Sequence, residues 1–165
     1  MTDERLGDGL WAALRRLPRG SGVVFRHYAT GAGERRALFR RVVRIGRTRG
    51  LLVVRAGERA GFGEDGMHGG VRGSGLRTAP AHDRREAVAA VRRGAEVLFV
   101  SPVFGTRSHP GASGLGERRA RRIAQGLPVT VIALGGMDAR RFRGMAGFDG
   151  WAAIDAWGSW GSGAK

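Results

Sequence analysis

The chain has 165 residues, 42% of them hydrophobic and 26% charged, a balance that suits one globular domain with a real core. There is no cysteine, which excludes disulfides, thiolate–metal sites and cysteine nucleophiles. The formal charge is +15, yet Lys165 is the only lysine and asparagine is absent, a skew that reads as GC-rich coding rather than as selection for a polyanion.

In chain order, Leu6, Leu10, Leu14 and Leu17 recur at helical spacing beside Trp11, and Pro18 ends that helix. Gly22–Arg26 reads as a strand. A helix follows with Leu38, Val42 and Ile45 on one face; Arg35, Arg36, Arg40, Arg41, Arg44, Arg47 and Arg49 are assigned to its outer side. Leu51–Val54 is a strand, and Gly66-Met67-His68 a very short one within a glycine-rich stretch. Leu76–Ala79 is another candidate. Asp83 and Glu86 have capping-box spacing and open a helix with Ala87, Val88 and Val91 inward. Val97–Val100 is a continuous apolar run, as a strand covered on both faces should be. A helix is expected near Glu117–Gln125, then the strand Val129–Leu134, Gly135-Gly136, a short helix from Asp138, and the strand Trp151–Ile154.

Apolar runs alternating with helices are the signature of parallel βα units, built either as an open sheet or as a closed barrel. No apolar stretch approaches the roughly 18–20 residues of a membrane span, and Met1–Glu4 lacks the features of a signal peptide, so a cytoplasmic protein is expected. The basic surface is read as solvated, because the aromatics are too scattered for a stacking platform on nucleic acid. Gly61–Gly66 fits G-x-G-x-x-G, but no helix opens at its end to receive a pyrophosphate.

The four histidines, His27, His68, His82 and His109, all fall at the C-terminal ends of predicted strands, where parallel α/β folds bind ligands. Each could move a proton near neutral pH, and none is paired at the spacing of a zinc-binding helix. The segment Ser101–Gly111 concentrates Ser101, Thr106, Arg107, Ser108 and His109 directly after a buried strand. Gly135-Gly136 offers a second place where backbone amides could approach an anion. A phosphorylated small molecule between these loops is the expected ligand.

The runs SPVFGTRSHPG, VIALGGMD and GWAAIDAW, at these intervals, resemble the later strands of the thiamine phosphate synthase family and its thiazole tautomerase (TenI-like) branch. The resemblance spans residues 20–157 and is specific from Arg77 onward. It implies a TIM-type (β/α)8 barrel occupying residues 1–157, with 158–165 a flexible tail. Met1-Thr2-Asp3 resembles the last residues of the family's first strand, so either the true start lies upstream of Met1 or the barrel is shortened and lacks most of that strand. A barrel so shortened is expected to be unstable alone or to close through a partner chain, as in a homo-oligomer. Arg26, Gly66-Met67-His68, His82 and Pro102-Val103-Phe104 match family motifs.

The synthase joins hydroxymethylpyrimidine pyrophosphate to a thiazole phosphate, with magnesium and basic side chains stabilising the departing pyrophosphate. The tautomerase branch moves a proton on a carboxythiazole phosphate, which needs an acid/base pair. The resemblance implies His82 as general acid/base with His27 or His109 as partner, and Arg26, His68, Ser101, Thr106, Ser108, Gly135 and Gly136 on the ligand. Several positions depart from the synthase pattern. Val54-Arg55 stands where the family has Asn-Asp, and Gly69–Gly73 contains no second magnesium acid. His27-Tyr28 replaces an acid and a basic phosphate ligand, His109 a lysine, and Asp155 a small hydroxyl residue. Magnesium is therefore expected for the family but its acidic ligands are unmatched here, and weak or absent synthase activity is expected. The alternatives are a non-catalytic relative that binds a phosphorylated ligand and, third, a basic nucleic-acid-binding domain.

Overall fold

The computed structural model describes residues 1–57, 63–70, 74–106 and 113–157. They form two compact units, Met1–Gly75 with the described residues from Ile154 onward, and Leu76–Ala153. Among them are five α-helices and seven β-strands, and every strand pair within a unit is parallel.

The first unit runs α1 (Gly9–Arg16), β1 (Gly22–Phe25), α2 (Ala32–Arg49), β2 (Leu52–Ala56) and β3 (Gly66–His68). Leu10, Trp11 and Leu14 bury one side of α1, and Leu17 is extended, as a residue before proline must be. β2 pairs with β1 on one side and β3 on the other, which sets Val23 beside Val53 and Ala56 beside His68. Ahead of β1, the Thr2 amide donates to the Val24 carbonyl at 2.8 Å, so Met1–Asp3 lie against the end of that strand.

The buried face of α2 is Phe39, Val42, Val43 and Gly46, with the expected Leu38 and Ile45 half-buried at its margins. Phe39 sets this rotation by tilting against Phe25, ring centroids 5.0 Å apart. Gly46 permits the close approach to β2; a β-carbon there would stand 2.5 Å from Val53 Cγ2.

The arginines of α2 divide. Arg36, Arg40, Arg41, Arg44 and Arg47 are exposed as expected, and Arg41 lies over the Trp11 ring at 3.8 Å. Arg35 corrects the expectation of a solvated outer residue. Its guanidinium donates to the carbonyls of His27 (2.8 Å), Arg26 (3.1 Å) and Ala56 (2.8 Å), tying together the ends of β1 and β2. Arg35 sits in the first turn of α2, close to where the chain leaves β1, so its side chain can reach carbonyls that the strand ladder no longer satisfies. Arg49 is half-buried and donates to the Leu17 carbonyl at 3.3 Å.

The second unit runs β4 (Leu76–Ala81), α3 (Arg84–Arg92), β5 (Val97–Val100), α4 (Glu117–Ala124), β6 (Thr130–Leu134), α5 (Ala139–Arg143) and β7 (Gly150–Ala152). The strands pair in chain order. Helices reach this sheet through small residues, Ala87 and Ala90 on α3 and Ala120 on α4, packed around Leu98, Val100 and Val131. Val88, expected inward, is only half-buried, because Ala87 and Ala90 define the inner face and Val91 flanks it.

One device recurs in both units. An acid stands immediately before β3, β5 and β7, and its carboxylate accepts the amide of a residue on the preceding strand. Asp65 takes Val53 N at 2.7 Å, Glu96 takes Arg77 N at 3.0 Å, and Asp149 takes Val131 N at 2.7 Å. Each acid's own amide donates back to the same residue's carbonyl, closing a two-bond clasp at the strand's N-terminal end. The clasp helps fix register, since a one-residue slip would turn every side chain to the opposite face.

Candidate functional site

The C-terminal strand ends of the first unit gather Arg26, His27 and His68. His27 is buried at 4% exposure with its backbone in the left-handed region (φ 26°). Its ring stacks on Phe25 with centroids 4.7 Å apart, and its Nδ1 hydrogen-bonds Thr2 Oγ1 at 3.0 Å. Thr2 Oγ1 also accepts the Arg26 amide at 3.1 Å. Burial pushes the His27 imidazolium pKa down, offset in part by the Glu4 and Asp3 carboxylates. His68 ends β3, also buried, and its pKa falls to about 4; burial is the main cause, with the charges of Arg26 and the Met1 amine adding to it. At neutral pH both rings are therefore neutral, and Arg26 is a permanent positive charge beside His68.

His82, Ser101, Thr106, Gly135 and Gly136 belong to the second unit. Asp83 caps α3 by accepting the Glu86 amide at 2.7 Å, and Glu86 reaches back to accept the His82 amide at 2.8 Å. The cap thus holds the His82 backbone at the end of β4. Its ring is held from β5, where Nδ1 donates to the Ser101 carbonyl at 2.8 Å. A carbonyl only accepts, so Nδ1 carries a proton, and in the neutral ring Nε2 is the basic nitrogen. His82 is exposed, so Nε2 can meet a ligand.

After Ser101, which is buried, the chain runs along the end of β6. Val103 N donates to the Leu134 carbonyl at 2.8 Å and Phe104 N to the Gly135 carbonyl at 3.1 Å. Gly135 (φ 99°) and Gly136 (φ 60°) turn beneath this segment with no room for side chains. A β-carbon on Gly135 would lie 2.8 Å from Pro102 Cα, and one on Gly136 would lie 2.6 Å from the Gly105 carbonyl oxygen. The glycine pair thus serves backbone-to-backbone packing in the first place.

Arg141, which sequence reasoning missed, donates from Nη1 to the Gly136 carbonyl, and its guanidinium lies 5.0 Å from the Phe104 ring centroid. Its only signal was a position in the first turn of the helix after the glycine pair, hidden among neighbouring arginines. Ser108 and His109 lie outside the described residues, as do Arg107, Gly61-Phe62 and the expected tail. Among the described residues no three His, Asp or Glu side chains come together to hold a metal ion. Asp155 opens a turn of 3-10 helix and lies 3.9 Å from the Arg5 guanidinium, so its charge is partly balanced. Among the described residues no helix is long and apolar enough to cross a membrane.

Residues 78–157, which carry this His82–Ser101–Gly135 constellation, match the family model for thiamine monophosphate synthase. Over this stretch the chain is similar to that family. The thiamine-phosphate synthase of Geobacillus thermodenitrificans is 32% identical over 142 residues, 74% of this chain and 64% of the relative. That of Chloroflexus aurantiacus is 36% identical over 87 residues, 51% of this chain and 40% of the relative. The chain therefore covers less than two thirds of either synthase. The solved structure of a thiamine phosphate pyrophosphorylase from Pyrococcus furiosus is similar over 96% of this chain and 85% of that one, at 22% identity and a TM-score of 0.78. The α/β architecture is accordingly the TIM-like fold of the thiamine phosphate synthase family.

Proposed function

We propose that this chain acts as a member of the thiamine phosphate synthase family and binds a phosphorylated thiazole, or a close phosphorylated relative, at the C-terminal ends of its strands. His82 acts there as general acid/base in the proton transfer of the tautomerase branch. The observation that carries this reading is the His82–Ser101 hydrogen bond, which fixes the ring tautomer and leaves Nε2 as the basic atom. The phosphate would be held near Gly135-Gly136, with Ser101 and Thr106 as neighbouring hydroxyls; Ser108 and His109 complete the expected set.

Magnesium fits the residues present poorly. Arg55 occupies the place where the family pattern has a metal acid, and its guanidinium lies 5.6 Å from the Phe39 ring centroid. A fixed cation there opposes a divalent one, so no step is assigned to magnesium.

The test is twofold. Thermal shifts with thiazole phosphate, thiamine phosphate and pyrophosphate measure binding. Solvent deuterium incorporation into a carboxythiazole phosphate, without added metal, measures proton transfer. Stabilisation together with incorporation supports the reading. Stabilisation without incorporation identifies a non-catalytic binder, and vigorous magnesium-dependent formation of thiamine phosphate would overturn the loss of synthase chemistry.

A further inference from the structure

The second unit has another concavity, at the opposite end of its strands. The segments leading into β6 and β7 form one wall with Leu127, Val129 and Phe148, and α4 forms the other. Its volume is about 760 Å³, within the range that small-molecule sites occupy. Gly135-Gly136 follow the C-terminal end of β6, whereas this groove adjoins its N-terminal end, so the two are separate places.

Arg118, Arg121 and Arg122 face the groove from α4. Their i, i+3, i+4 spacing stacks three guanidiniums on one helix face, where like charges repel. Nearby carboxylates balance them only in part. Glu117 is 4.0 Å from Arg121, and Asp149, also lining the groove, commits one oxygen to the Val131 amide. Nor are these arginines needed to close the helix. Arg84, reaching over from α3, donates to the carbonyls of Ile123 (2.8 Å) and Gln125 (2.6 Å) at the end of α4. Concentrated positive charge beside an apolar wall suits a ligand with several negative charges at one end and a flat apolar body at the other.

We propose that this groove binds an organic polyphosphate of the nucleoside triphosphate class. The phosphates lie on Arg118, Arg121 and Arg122, and the base lies toward Leu127 and Phe148. The site is independent of the one at Gly135-Gly136.

Calorimetric titration of the full chain with ATP, inorganic triphosphate and adenosine tests it. ATP and triphosphate should bind and adenosine should not. The triple variant R118Q/R121Q/R122Q, which keeps helix propensity, should weaken ATP at least about tenfold. R36Q/R40Q/R44Q, which removes equal charge from α2, should change it by less than about threefold. Equal losses in both triples would mean bulk attraction to a basic surface, and the proposal fails. Unchanged ATP binding in the groove triple places the ligand elsewhere and also defeats it, as does absence of ATP binding or binding of adenosine alone. Independently of any variant, ATP should slow hydrogen exchange in residues 118–127 and 147–149. Slowing confined to residues 135–141 would overturn the assignment.

Discussion

The Nδ1 of His82 and the carbonyl of Ser101, 2.8 Å apart, join the ends of β4 and β5 through a side chain whose other nitrogen takes no part in that bond. The backbone of His82 is pinned separately by Glu86, so the ring has little freedom to reorient. His82→Ala should lower proton-transfer turnover by about 10²–10⁴-fold, the usual contribution of a positioned acid/base group. His82→Gln can still hydrogen-bond the Ser101 carbonyl but cannot relay a proton. It should lose turnover to a similar degree while its melting temperature stays near that of the wild type. Steady-state kinetics beside thermal melts check both, and retained turnover in His82→Gln would remove His82 from the mechanism.

Gly135 and Gly136 are held against the Pro102–Gly105 segment by backbone contact, so alanine meets two obstacles at once. It must adopt a positive φ, and its methyl group must enter space already filled by Pro102 Cα or the Gly105 carbonyl. Either substitution should destabilise the protein by about 2–4 kcal/mol, the sum of backbone strain and overpacking. Urea unfolding measures the loss. A change under about 0.5 kcal/mol, the size of an ordinary surface substitution, would show that the segment lifts away at little cost.

Arg35 supplies three hydrogen bonds to backbone carbonyls, so Arg35→Ala should cost about 2–3 kcal/mol. Lysine should not rescue it, because one ammonium cannot span carbonyls from two strands as the planar guanidinium does. Arg36→Ala, on the exposed side of the same helix, should lie within about 0.5 kcal/mol of the wild type. Equal effects of the two substitutions, read from urea midpoints, would contradict the bridging role.

Much of this architecture was legible in the sequence. The run Val97–Val100 announced β5 because a strand covered on both faces is apolar throughout, and the almost unbroken run Val129–Leu134 announced β6. The Asp83/Glu86 spacing located the start of α3. What the pattern could not convey was long-range pairing. Arg35 looks like its neighbours until the ends of β1 and β2 come within its reach, and Asp65, Glu96 and Asp149 read as loop acids until each meets an amide of the preceding strand. His27 and His68 share the strand-end placement of His82, yet burial rather than spacing separates them from it, and burial depends on the whole fold. Arg141 was hidden for the same reason. Its partners, the Gly136 carbonyl and the Phe104 ring, meet only when two strand-end loops are brought together.

Stability should fall as the solution is acidified from pH about 6.5 toward about 4, and His68 is a principal cause. Its ring is buried near Arg26, so the folded protein resists protonating it until pH about 4, whereas the unfolded chain takes up that proton near pH 6.5. Between those values the unfolded state binds more protons, so unfolding becomes easier as pH falls and harder as it rises. His27, lowered in the same direction by burial, adds to the slope. Complete expression of the His68 shift would be worth up to about 3 kcal/mol. Urea unfolding across this window should show the decline, and His68→Gln, lacking the titrating group, should flatten part of it. An unchanged slope in that variant would mean that His68 takes up its proton equally in both states.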